Sequence, residues 1–353
     1  MKAAVYSFSA RGAQLSKKIG LFLEQLGWQA VVETTAKYAE AAGLGVMTPD
    51  YKAACARSFA ACDALIFVGA AGIAVRAIAP CVKSKLTDPA VLSVDEQGQF
   101  VIPLLAGHIG GANELARILA AHLNAVACVS TATDVNGLFA VDEWAARNNM
   151  VIDNMKAAKD FAAALVDGQV CGLHSDFAVA GALPKQIKAT DEAEVGMAVT
   201  LDRTLAPYPT TVRLLPKIVH LGIGCRRNTP LANIESLVLP ELAKMNIDLR
   251  TVKSVASVDL KKDEAGLLAF AEKYSWPAVF YTAAELEAVA GDFTPSGFVK
   301  SVVGVANVCE RSAVKASGGR LLLRKTARGG LGVTLAVAVE EIILDFSRTG
   351  LKK

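Results

Sequence analysis

The stretch Leu105-Ala-Gly107-His108-Ile-Gly110-Gly111-Ala-Asn113-Glu114 is where residue type and spacing come nearest to a chemical site. An imidazole titrates near neutrality, so His108 could take a proton from a water molecule. Main-chain amides near Gly110 and Gly111, at the start of a helix, could then hold the oxyanion that forms when the water adds to a carbonyl. Glu114 follows in the first helical turns, where it could orient the imidazole or simply complement the helix dipole. The bland alternative for His108 is a buried, hydrogen-bonded histidine.

Two glycine turns could receive anions. Gly69-Ala-Ala-Gly72 follows an apolar run, and side-chain-free residues let N–H groups approach an anion at a helix start, with Arg76 as its partner. Gly222-Ile-Gly224-Cys225-Arg226-Arg227 repeats the theme later, with Arg227 standing where a dinucleotide fingerprint requires its third glycine; it could grip a carboxylate instead. Neither turn continues into Gly-Lys-Ser/Thr, so NAD and ATP are both disfavoured. Lys85, Asp88, Asp134 and Asp142 flank loops that could line one cleft at strand ends. Asp95-Glu96 reads equally well as a polar hairpin turn. Cys225 and Cys309 could be nucleophiles, but buried small hydrophobes are the default for lone thiols. Asn307 reads as a cap for a helix with Glu310 at its third position. His122 belongs to an apolar stripe, and His174 and His220 have no partner visible in sequence.

The elements that must position these groups read as α/β. Ala3–Phe8 is a buried strand, followed by a helix with Leu15, Ile19, Phe22, Leu23 and Leu26 on one stripe and Gly27 as its stop. Strands are expected at 28–32, 64–68, 91–94 and 100–102, and helices after Gly72 and after Gly111. Alternating strands and helices imply a doubly wound, mainly parallel N-terminal sheet over residues 1–137. Residues 138–216 look less regular, with Leu205–Pro216 as a linker. A second α/β domain spans 217–353, ending in a hairpin (Arg320–Thr326 with Gly332–Val339) and a frayed terminal helix from Ile342.

Composition bounds the function classes. The 353 residues are 53% apolar and 20% charged, which excludes a disordered chain. The longest apolar stretch, Ala64–Val75, is about half the roughly 20 residues a membrane span needs, and the N-terminus lacks a secretory signal's apolar core. A cytoplasmic protein without a membrane partner is expected. Seven cysteines form no Cys-x-x-Cys pair, which argues against a zinc cage or a disulfide framework. Net charge is +3, and the C-terminal part carries the excess, around Lys315, Arg320, Arg324, Lys325 and Arg328. Without aromatic residues interleaved among those cations, an acidic small molecule suits the patch better than nucleic acid.

Taken in order, GAAGIAVRAIAP (Gly69–Pro80), Lys85, DPAVLSVDEQGQFVIPLLAGHIGGANELA (Asp88–Ala116), TATD (Thr131–Asp134), HLGIGCRRNTP, KSVASVDLKKDEAGL and GVANVCERSAV resemble the cobalt-precorrin-5A hydrolases of anaerobic cobalamin synthesis. The resemblance spans most of the chain and is least distinct over 138–216. It implies an enzyme that opens the ring A acetate δ-lactone of cobalt-precorrin-5A and releases acetaldehyde, giving cobalt-precorrin-5B. His108 would be the base, Gly110 and Gly111 the amide donors, and Glu114 the orienting group. Gly69, Gly72, Arg76, Lys85, Asp134, Gly222, Gly224, Arg226, Arg227 and Glu310 would meet the substrate. No separate cofactor or protein-held metal is expected, because cobalt would arrive inside the macrocycle. The resemblance leaves room for a homodimer and for transient contact with neighbouring pathway enzymes. The alternative is a carrier that binds a corrin intermediate without catalysis.

Overall fold

A computed structural model describes residues 1–84, 87–107, 110–295 and 306–346, and the chain divides into two compact units at Trp144/Ala145. The first unit runs β1 (Lys2–Ser7), α1 (Ala10–Gln25), β2 (Gln29–Thr34), α2 (Ala36–Ala42), β3 (Gly45–Val46), α3 (Tyr51–Ala61), β4 (Ala64–Val68), α4 (Ala71–Ile78), β5 (Ala90–Val94), β6 (Phe100–Leu105), α5 (Ala112–Leu123), β7 (Val126–Ala127) and α6 (Ala132–Val135). Helix α7 (Val141–Arg147) leads into the second unit.

The first sheet has the order β3-β2-β1-β4-β5-β6-β7. Its central strands are apolar on both faces because helices cover both. Ala3, Val5, Ala64, Ile66, Val68, Leu92 and Val94 meet Ile19 and Leu23 of α1 and Leu115, Ala116 and Leu119 of α5. The alternate residues Ala4, Tyr6, Leu65, Phe67 and Val91 meet Ala54 and Cys55 of α3 and Ala74, Ala77 and Ile78 of α4. The doubly wound arrangement expected from the sequence is therefore present. Pairing is parallel from β3 to β5, after which β6 runs antiparallel to β5, with Val91 opposite Leu105 and Val94 opposite Val101. The reversal is made in the turn after β5, where the Asp95 carboxylate accepts N–H bonds from Gln97 (3.0 Å), Gln99 (2.7 Å) and Phe100 (2.6 Å).

The second unit begins with β8 (Met150–Ile152), α8 (Met155–Val166), β9 (Cys171–Ser175), β10 (Ala178–Ala180), β11 (Ile187–Lys188), β12 (Val195–Val199) and β13 (Thr210–Pro216). It continues with β14 (Val219–Cys225), α9 (Leu231–Lys244), β15 (Val252–Val258), α10 (Ala265–Lys273), β16 (Ala278–Tyr281), α11 (Ala283–Glu287), α12 (Cys309–Ser317), β17 (Arg320–Ala327), β18 (Val333–Val339) and β19 (Ile343–Asp345). The middle region is more regular than its sequence suggests, forming a sheet of order β11-β9-β12-β13-β8. Two expectations are corrected. Thr210–Pro216 is no linker but strand β13, pairing with β12 and β8, because its prolines flank the run rather than interrupt it. Ile343–Asp345 is no helix but strand β19, paired in parallel with Ala178–Ala180; residues 347–353 lie outside the described residues.

The last sheet, β16-β15-β14-β18-β17, ends in the expected hairpin. Val219, Leu221 and Ile223 of β14 pack with α9 and α10 on one face. On the other face α12 brings Cys309 and Ala313 against Ala336 and Ala338. The two sheets of this unit are tied together at Asp153, which accepts from Arg213 Nε (2.8 Å) and pairs with Arg250. Arg250 also holds Asp248 through Nε (2.9 Å) and Nη2 (2.7 Å). Burial raises the Asp153 pKa, but the two guanidinium groups outweigh it and hold the carboxyl below its ordinary range.

Gly222 is where α12 comes closest to the sheet: a Cβ there would stand 1.8 Å from the Cys309 carbonyl oxygen and 2.9 Å from the Ala313 Cβ. Gly222→Ala must push the helix off the strand, and overpacking of this kind costs about 1–3 kcal/mol. Urea unfolding should show a lower midpoint with an unchanged slope; a wild-type midpoint would mean that the helix tolerates displacement at no cost.

Candidate functional site

The antiparallel course of β6 decides what can gather in the first unit. Because Leu105 lies opposite Val91, the loop after β6 emerges beside the start of β5, at the amino edge of the parallel strands. Gly69, by contrast, follows β4 at the carboxyl edge, where Val68 is level with Val94. Gly69, Gly72 and Arg76 are thus separated from Gly107 and Gly110–Glu114, and among the described residues one cleft lined by both is not formed. Arg76 is exposed on α4, with its guanidinium folded back over Gly72. Lys85 and His108 lie outside the described residues.

The described residues on either side of positions 108 and 109 are held by backbone contacts. Ala106 has φ 55°, unusual for a residue with a side chain, and Gly111 has φ 79°. The amides of Ala112 and Asn113, the first of α5, donate to Ala106 O (3.1 Å) and Gly107 O (3.0 Å), so they close the loop rather than face outward. A Cβ on Gly110 would lie 2.4 Å from the Ala106 Cβ, and one on Gly107 2.8 Å from Asn113 Oδ1. A Cβ on Gly110 would also lie 3.4 Å from the Asp88 carbonyl oxygen. The Asp88 carboxylate is buried and accepts amides from Lys83 (3.0 Å) and Ser84 (3.0 Å), so it organises the chain at those two residues.

A polar cluster stands behind the loop. Asn113, 2% exposed, donates through Nδ2 to Thr131 Oγ1 (3.0 Å) and Asp134 Oδ2 (2.8 Å). Arg117 pairs with the other oxygen of Asp134 and lies 3.5 Å from Glu114. The hydrogen bond to Asp134 raises the Arg117 pKa. Glu114 and Asp134 are therefore linked through Arg117, which sits one residue beyond the stretch that carries the resemblance. An acid and a base at i and i+3 were the available signal. Asp142 accepts the amide of Glu143 (3.0 Å) at the start of α7.

In the second unit Gly224 and Cys225 are the last residues of β14, and Arg226 and Arg227 follow its carboxyl end. Arg226 is exposed, its N–H bonded to Gly332 O (2.9 Å) and its side chain laid along Gly332. Arg227 pairs with Asp263 (2.7 Å). Thr334 Oγ1 donates to Gly224 O (3.3 Å), so Gly224 gives room to Thr334 as Gly222 gives room to α12. Glu310 is fully buried at the first turn of α12 and accepts from Thr294 N (2.7 Å), Thr294 Oγ1 (2.8 Å) and Lys325 N (2.6 Å), which makes it an internal brace rather than an exposed rim group. Asn307 Oδ1 accepts the Glu310 amide (2.9 Å), as the capping pattern implied. The basic patch is dispersed: Arg324 meets Asp292 (3.2 Å), and Arg328 reaches Ser236 O (3.4 Å).

The remaining histidines have long-range or local partners. His220 is buried, with Nδ1 2.7 Å from Ser254 Oγ and Nε2 3.0 Å from Glu340 Oε1; burial drives its pKa down. His174 lies 3.4 Å from Asp176 beside a cleft of about 350 Å3 that includes Phe177 and Val179. His122 is exposed and stacks on Phe22. Among the described residues no group of three His, Cys, Asp or Glu side chains could hold a metal ion, and no helix is long and apolar enough to cross a membrane.

Comparison with known proteins accounts for nearly the whole chain. Residues 53–134 match the family model "Cobalamin synthesis G N-terminal", 139–216 "Cobalamin biosynthesis central region" and 219–338 "Cobalamin synthesis G C-terminus". The chain is 38% identical to the cobalt-precorrin-5A hydrolase of Salmonella typhimurium strain LT2, over 80% of this chain and 84% of that one. It is 29% identical to the cobalt-precorrin-5A hydrolase of Priestia megaterium, over 95% and 94% respectively. A stretch covering 29% of the chain is 36% identical to protein CobE of Sinorhizobium sp., over 68% of that protein.

The thiols near β14 are not activated. Burial pushes both Cys225 and Cys309 up to about 11, and for Cys225 nearby Lys261 only partly offsets this. A free thiol titrates near about 8.5, so iodoacetamide at pH 7.5 should alkylate Cys225 at least about 10-fold more slowly than it alkylates glutathione. Peptide mass mapping would read this; fast labelling with a midpoint near neutral pH would restore Cys225 as a candidate nucleophile.

Proposed function

The chain belongs to the cobalt-precorrin-5A hydrolase family, and from that we propose that it opens the ring A acetate δ-lactone of cobalt-precorrin-5A and releases acetaldehyde, leaving cobalt-precorrin-5B. The observation that carries this is the 38% identity to a relative of that name across 84% of its length. A hydrolase of cobalamin synthesis is the coarse form of the reading, and the fragmentation is the finer one.

Water adds to the lactone carbonyl and gives a tetrahedral oxyanion. Its collapse breaks the acyl C–O bond and leaves a carboxylic acid and a free hydroxyl. That hydroxyl then loses its proton, its oxygen becomes a carbonyl, and the neighbouring C–C bond breaks with its electron pair passing into the conjugated macrocycle. One water is consumed and one acetaldehyde formed, with no external oxidant or reductant. His108 is the base for the water, Gly110 and Gly111 supply amide donors, and Glu114 orients. A positioned base of this kind typically contributes about 10²- to 10⁴-fold.

The substrate is a ring fringed with carboxylates, which guanidinium and ammonium groups suit. Lys85 is the rim contact in this reading; Arg76, with Gly69 and Gly72, stands at the opposite edge of the first sheet from Gly107 and Gly110, and Gly224 gives its room to Thr334. Asp134 acts from behind the β6–α5 loop. Cobalt travels within the substrate and the conjugated ring is its own electron sink, so the reaction calls for no further cofactor.

Purified protein incubated with cobalt-precorrin-5A should release one equivalent of acetaldehyde, trapped as its hydrazone and quantified by chromatography. His108→Ala should lower the rate by about 10²- to 10⁴-fold with an unchanged melting temperature. Stoichiometric uptake of the corrinoid with no acetaldehyde would replace the hydrolase by a carrier, and full activity in His108→Ala would remove that residue from the mechanism.

A further inference from the structure

A cleft in the middle sheet of the second unit has no part in the hydrolase reading. It has a volume of about 350 Å3 and opens at the carboxyl ends of β9 and β11, where His174 and Thr190 stand. The chain leaves β9 toward β11 and leaves the adjacent β12 the other way, toward β13. Open α/β sheets take up small ligands at the carboxyl ends beside such a divergence. The walls are fixed from behind. Ser175 Oγ accepts the amide of Phe177 (3.0 Å) and donates to its carbonyl (2.8 Å), while Phe177 packs against the core of the last sheet. On the β11 side Thr190 Oγ1 accepts the Glu192 amide (3.2 Å), and Thr190 O accepts the Tyr208 hydroxyl (2.9 Å).

The polar groups left for a ligand are acceptors. Asp176 takes the hydroxyl of the buried Thr200 on one carboxylate oxygen and stands 3.4 Å from His174 Nε2 on the other. An ionised carboxylate can only accept, so it places the hydrogen of the neutral imidazole on Nε2 and leaves Nδ1 with a lone pair. Asp191 adds an exposed carboxylate to the lining, which contains no Lys or Arg. Leu173, Phe177 and Val179 supply the apolar wall.

We propose that this cleft binds a small organic ammonium ion, its N–H groups donating to His174 Nδ1 and the Asp191 carboxylate and its carbon body lying against Leu173, Phe177 and Val179. The lining has no cation to receive a carboxylate-fringed ring, so this is a second site, and it stands without the hydrolase reading. A bare metal ion suits it less. Among the described residues no three His, Cys, Asp or Glu side chains group to hold one, and an aromatic wall favours an organic cation.

Benzylamine, benzyl alcohol and benzoate have nearly the same shape and carry a positive, no and a negative charge at pH 7.5. Titrated at millimolar concentration into the full chain with isotope-labelled Leu, Val and Ala methyl groups, benzylamine should shift the resonances of Leu173, Val179 and Ala189, which all line the cleft. Benzyl alcohol should bind about 10-fold more weakly, because it lacks the charge-assisted hydrogen bond, and benzoate should leave those resonances unmoved. Asp191→Asn should weaken benzylamine about 10-fold and leave benzyl alcohol unchanged, and His174→Phe should also weaken benzylamine. Should His174→Phe fail to fold, Asp191→Asn, at an exposed side chain, decides alone. Methyl resonances that benzylamine does not move, benzoate binding as tightly as benzylamine, or wild-type affinity for benzylamine in Asp191→Asn would each overturn the proposal. Acetaldehyde release tests the hydrolase reading separately, and either can fail while the other holds.

Discussion

One carboxylate sets the direction of everything that follows it in the first unit. Asp95 gathers three amides into the turn after β5, and that turn sends β6 back antiparallel to its neighbour. Had the chain crossed over and continued parallel, the loop after β6 would have joined Gly69 at the carboxyl edge, where doubly wound folds place their ligands. Instead Gly110 lies by the Asp88 carbonyl at the other edge, and two glycine-rich turns that look alike in sequence belong to opposite edges of one sheet.

Acidic residues elsewhere do comparable internal work. Asp88 satisfies two amides of its loop, Glu310 braces Thr294 and β17, and Asp153 joins the two sheets of the second unit through two arginines. In each case the carboxylate accepts more than one donor and so fixes the segments that carry them. A carboxylate near a loop is easily taken for a catalytic or binding group; here burial and the number of donors around it distinguish the two. The exposed cations, Arg76 and Arg226 above all, are the groups left facing outward.

The doubly wound first sheet was legible because its strands carry unbroken apolar runs such as Ala64–Val68 and its helices show a clear stripe. The family was legible from the order of several motifs. What escaped was anything depending on a distant partner. Ile343–Asp345 is a strand only because Ala178–Ala180 lies beside it, and His220 finds Ser254 and Glu340 far along the chain. Thr210–Pro216 was hidden by prolines at its margins. Gly222 looked like a ligand-facing glycine because sequence cannot distinguish room made for a ligand from room made for a helix.

Tyr208 carries a consequence for how the middle sheet can change. Its ring lies flat on Gly172 and Gly196, at 2.4 and 2.3 Å from where their Cβ atoms would be, and its hydroxyl donates to Thr190 O. Two neighbouring strands therefore share one aromatic cover and have no side chains of their own beneath it. A methyl group at either glycine evicts the ring, while a smaller residue in place of the ring leaves a slot as thick as an arene. Divergence at these three positions is tolerable only in concert, so they form a single inherited unit spread across three strands' worth of sequence.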